Sequence, residues 1–199
     1  MKDIAAKITI SDYELRQCFQ REYPKDLTRT TEGEMPQEYD LDRIQAEKLV
    51  GKRWDEIEAD LLQEFFDVAS FLNPRAFQYF LPTFIKQSQV EVEKTRLLVD
   101  SLVGMLADSG VHWPESMKHA EAKILDENPE IAQALDSINE KDLSAWREER
   151  WRLFTDQQWD LVRKWLNWID KNEGLEVDRD ILRRAMKNAE NWQATVRGE

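Results

Sequence analysis

The residue types that carry most catalytic and metal chemistry are scarce in this chain, with two His and one Cys among 199 residues. His112, Glu115 and His119 lie close together, and Glu115 and His119 share a helix face at a spacing of four. A helical di-metal site needs Glu-x-x-His on each of two helices plus two further Glu. Here the spacing differs and the second half is missing, so a solvated helix face is the expected reading and no metal site is assigned. A Ser–His–Asp triad is compatible with the composition, but no Gly-x-Ser-x-Gly elbow occurs to carry its nucleophile. Six scattered Gly residues cannot build a phosphate-cradling loop. Cys18 stands alone, which excludes an internal disulfide and a Cys-based zinc site, and it reads as a small core residue. No catalytic residue and no cofactor are expected.

Charge points to a different chemistry. The chain carries 28 basic and 40 acidic residues, a net charge of −12. Such a field repels nucleic acid and anionic membranes, whose binding relies on Lys and Arg, and it favours a basic protein partner. Half of the excess falls in residues 101–150, and the last quarter of the chain is neutral. Asp126, Glu127, Glu130, Asp136 and Glu140 lead an acidic stretch that runs to Glu149. It is either a solvated helix surface or a face for a basic partner. The neutral quarter is rich in tryptophan instead. Trp159, Val162, Leu166 and Ile169 form one helical stripe, and Trp165 and Trp168 sit off it. Those two rings are either buried between neighbouring helices or exposed as anchors for a partner.

These side chains must be placed by helices, because helix signals recur along the chain. Ser11 and Glu14 form a capping box, as do Thr155 and Gln158. Asn73-Pro74 and Asn128-Pro129 read as N-cap followed by proline at the first helical position. Asp40 caps a helix over about 41–50 that ends at Gly51, and Trp54 opens another through Phe65. The helix from Pro74 contains Pro82, which predicts a bend one turn earlier or an end at Leu81. Further helices are expected over 90–107, 114–125 and 141–153, the last with Leu143, Trp146, Arg150 and Leu153 as its stripe. Two more follow, one ended by Gly174 and one capped by Asp178. Residues 25–39 have no period and read as an irregular loop. The expectation is an all-α, single-domain bundle of residues 1–199, with nine or ten helices around a Pro-kinked central one. Neither a signal-peptide run nor a 20-residue apolar span is present in the sequence, so a cytoplasmic protein is expected.

The central stretch resembles a known family. Gly51-Lys52-Arg53-Trp54, followed by Phe71-Leu72-Asn73-Pro74-Arg75-Ala76-Phe77-Gln78-Tyr79-Phe80-Leu81-Pro82-Thr83-Phe84, is similar to the GKxW…FLxPxAFxYYLPAF pattern of a small bacterial family of unknown function. Weaker similarity surrounds Phe19–Pro24 and Leu153–Trp159. The resemblance implies a bacterial, soluble, mostly helical protein and brings no catalytic residues with it. The motif itself explains most of its own residues as packing, since Phe77, Phe80, Leu81 and Phe84 recur on one face. A bend at Pro82 could also frame a pocket lined by Gln78, Tyr79 and Pro82.

Taken together, the sequence points to a non-enzymatic bacterial interaction protein. Its most concrete form is an immunity or antitoxin-like protein that neutralises a basic toxin domain. An enzyme with its site at the Pro82 bend is the rival, and a homodimer or adaptor joined through the tryptophan-rich helices is a third reading.

Overall fold

The computed structural model describes residues 10–19, 22–27, 46–107, 149–172 and 174–198. Of these, 74% are helical and no β-strand occurs among them, so the all-α expectation holds. Eight helices are described. They are α1 (Asp12–Phe19), a 3-10 turn (Trp54–Glu56), α2 (Ala59–Glu64), α3 (Val68–Phe71), α4 (Pro74–Val90), α5 (Val92–Leu106), α6 (Asp156–Lys171) and α7 (Arg179–Arg197). Residues 149–152 add a helical turn before α6. The helices expected over 114–125 and after Asn128, and most of the one over 141–153, lie outside the described residues, as does most of the 25–39 loop.

The caps form as the local sequence dictates. Ser11 N donates to Glu14 Oε2 at 2.8 Å, and Glu14 N donates back to Ser11 Oγ at 3.3 Å. Thr155 and Gln158 exchange the same pair of bonds at 3.0 and 3.3 Å. Asn73 Oδ1 accepts from Ala76 N at 2.9 Å with Pro74 at the first helical position. Asp178 Oδ1 accepts from Asp180 N and Ile181 N at 2.8 and 3.0 Å. Each satisfies backbone donors that a helix start otherwise leaves open. Gly198, at φ 77°, closes α7 in the left-handed conformation that suits glycine.

One pair of alternatives is decided and two local expectations change. The helix α4 does not end at Leu81 but runs through Pro82 to Val90. Twelve of its residues are buried, so packing on every side outweighs the one backbone bond that proline removes. The helix expected from Trp54 to Phe65 is broken into the 3-10 turn and α2. The Thr83 hydroxyl donates to Trp54 O, and Gln87 Nε2 donates to Ile57 O at 2.7 Å, so α4 claims carbonyls that a continuous helix would use itself. Finally, α6 stops at Lys171, before Gly174, with Asn172 as its extended C-cap.

The five longer helices close a ring. α4 packs on α5, α5 on α7, α7 on α6, α6 on α1, and α1 back on α4; α2 and α3 pack on α5. Buried apolar residues from Ile10 to Ala189 form one continuous cluster inside it. Its centre is aromatic. Phe77 meets Trp151 and Phe154 edge-on at 5.3 and 6.2 Å and Phe84 at a tilt at 6.5 Å, and Phe154 meets Trp159 edge-on at 5.3 Å. Edge-to-face pairs of this kind add to the stabilisation from burial alone.

Candidate functional site

The central helix α4 holds the three residues expected to frame a pocket, and the structure engages each of them internally. Gln78 Nε2 donates to Leu153 O at 2.6 Å and to Gln158 Oε1 at 2.8 Å. Gln158 Nε2 in turn donates to Cys18 O at 2.8 Å. This buried amide chain ties α1, α4 and the start of α6 together. Tyr79 points elsewhere. Its ring lies edge-on to Phe80 at 4.9 Å and to Tyr23 at 5.5 Å, and burial pushes its phenol above the ordinary range. Pro82 is buried. Gln78 and Tyr79 therefore do not converge on one cavity, because neighbouring residues of a helix face different directions.

The candidate tryptophan anchors are also internal. Trp165 is 0% exposed and Trp168 is 5% exposed. Trp165 Nε1 donates to Ser88 Oγ at 2.8 Å, and Ser88 Oγ donates to Ile85 O at 2.8 Å. Of the two readings of these rings, burial between neighbouring helices is the one observed, and they are not surface anchors. Helix α6 is covered by α7 on one side and faces α1 and α4 on others, so its apolar arc must be broader than a single stripe.

Asp126, Glu127, Glu130, Asp136 and Glu140 lie outside the described residues, as do His112, Glu115 and His119. What the structure does show is how the described residues on either side of them pack. Met105, near the end of α5, places its Sδ 3.8 Å from Nη1 of Arg150. Both flanks are fixed. Ala107 is buried, Leu106 O accepts from Asn188 Nδ2 at 3.1 Å, and Arg150 is 1% exposed.

Arg150 is the functional-looking residue that motif reading passes over. Its Nη2 donates to Leu72 O at 2.9 Å and to Ser70 O at 3.4 Å, and its Cζ lies 4.4 Å from the Phe77 ring centroid. A guanidinium is costly to bury unless such groups receive it. Its placement on an apolar helical stripe with Trp146 and Leu153 was the available signal. Gln158 was legible as a cap, but its longer reach to Cys18 and Gln78 was not.

On the surface, ion pairs knit the ring. Asp55 holds Arg16 at 2.7 Å and Arg53 at 3.1 Å, and Arg16 lies over the Trp54 ring at 5.4 Å. Burial alone would raise the Asp55 carboxyl, but the two guanidinium hydrogen bonds outweigh it and keep it below the ordinary range. Lys164 reaches Glu14 at 2.7 Å and, with the Ser11 bonds, lowers that carboxyl to about 2. Burial raises the half-buried Cys18 thiol, and the charges of Glu14 and Asp160 raise it further, so it is held protonated rather than activated. Among the described residues no group of three His, Cys, Asp or Glu side chains is placed to hold a metal ion, and no helix is long and apolar enough to cross a membrane.

Comparison with known proteins agrees with the resemblance read from the central motif. No curated protein and no solved structure matches the chain. A family model described as a family of unknown function, DUF6714, matches residues 14–122, more than half of the sequence, and the chain belongs to that family.

Proposed function

We propose that this protein works by binding a basic protein partner through its acidic surface, as a bacterial, cytoplasmic immunity or antitoxin-like protein would in neutralising a basic toxin domain. The observation that carries this reading is the charge distribution. The net charge is −12, and residues 101–150 hold eleven acidic against five basic side chains. The described surface does not offset it. Arg16, Arg53, Lys86, Lys94, Lys164 and Arg179 are all engaged by carboxylates of the same chain. A surplus of this sign steers a basic partner and speeds its encounter.

The rival enzymatic reading loses its support at Pro82, where Gln78 and Tyr79 face different neighbours and serve packing. Trp165 and Trp168 are buried, which removes them as anchors from the adaptor reading and from the basic-partner reading alike, and leaves charge to carry the latter.

The test is capture from a bacterial lysate followed by identification of the bound proteins, then association kinetics with the recovered basic partner at two salt concentrations. Reversing Glu127, Glu130 and Asp136 together to Lys is expected to slow association and flatten its salt dependence, with an unchanged helical circular dichroism spectrum. Unchanged association rates after the triple reversal would overturn the proposal.

A further inference from the structure

We draw no further inference here: the strongest candidate, the exposed apolar surface of Val90 at the end of α4 and Leu97 on α5, at 52% and 56%, carries nothing because nothing in the structure shows what covers it.

Discussion

Gln158 does two jobs that the sequence keeps separate. Its Oε1 accepts from Thr155 N to close the capping box, and it also accepts from Gln78 Nε2. Its Nε2 donates to Cys18 O across 140 residues of sequence. Replacing it with Ala removes three hydrogen bonds at once, the one from Gln78 fully buried, which costs more than the net worth of any one hydrogen bond. Gln158→Ala is expected to destabilise the protein by about 2–4 kcal/mol, read from the urea midpoint. A loss below about 1 kcal/mol would mean that water reaches these groups and that the amide chain is not a tie. Glu14 makes a pH-dependent contribution of known sign. Its folded-state carboxyl is lowered from the ordinary 4.5 to about 2 by Lys164 and Ser11. A lowered carboxyl stabilises the fold fully above its unfolded value, and that stabilisation is lost as pH falls towards the folded value. The side chain is 37% exposed, so solvent screening discounts the effect to no more than about 1 kcal/mol. The stability difference between the native protein and Glu14→Gln should therefore shrink between pH 7 and pH 3 in urea titrations. A difference that stays constant or grows in acid would show that the Lys164 and Ser11 contacts do not act on the ionised form.

At the scale of elements, α4 is where sequence and structure agree in kind and differ in detail. Its apolar face was legible from the spacing of Phe77, Phe80, Leu81 and Phe84, and all four are buried. Phe77 sits where α4 meets the turn at 149–152 and the start of α6, in contact with Trp151, Phe154 and Arg150. Phe77→Ala removes a ring from a site walled by rigid aromatics that cannot collapse onto the space. The expected cost is roughly 3–5 kcal/mol in chemical denaturation, and a shift near zero would contradict the burial. Helix starts were legible because a cap is a local device, complete within four residues, as at Ser11, Asn73, Thr155 and Asp178. Helix interruptions were not. The break between Trp54 and Ala59 follows from bonds that Thr83 and Gln87 make to carbonyls about thirty residues away. The continuity of α4 through Pro82 depends on neighbours covering it, which periodicity within the helix does not report. The same limit applies to Trp165 and Trp168. Their apolar character is plain in sequence, but whether such an arc meets solvent or another helix depends on distant elements. The candidate partner face was legible as charge alone, since spacing along the chain does not give the arrangement of carboxylates in space.

For the whole molecule, the boundary of the family match and the boundary of the core do not coincide. The match stops at residue 122, yet α6 and α7 supply two of the five helices in the ring, and the core cluster continues to Ala189. The contacts that cross this boundary are central ones. Trp151 and Phe154 pack on Phe77, Trp165 bonds to Ser88, Gln158 bonds to Gln78, and Arg150 donates to the carbonyls of Ser70 and Leu72 at the end of α3. Trp159, Trp165, Leu166 and Ile169 are each 0–1% exposed. Full burial of an apolar side chain contributes roughly 1.5–3 kcal/mol, and a domain's net stability is only about 5–15 kcal/mol. Losing these four residues alone therefore removes an amount comparable with the whole margin, before the exposed faces of α4 and α5 are counted. A fragment of residues 1–122 should show no cooperative urea transition and should associate through its uncovered apolar surface, whereas the full chain should unfold in one step. The comparison is made by circular dichroism and size-exclusion chromatography on both proteins under one buffer. A monomeric fragment with a sharp transition near that of the full chain would show that α6 and α7 dock onto an autonomous unit, and the ring would then be an assembly of two parts rather than one cooperative core.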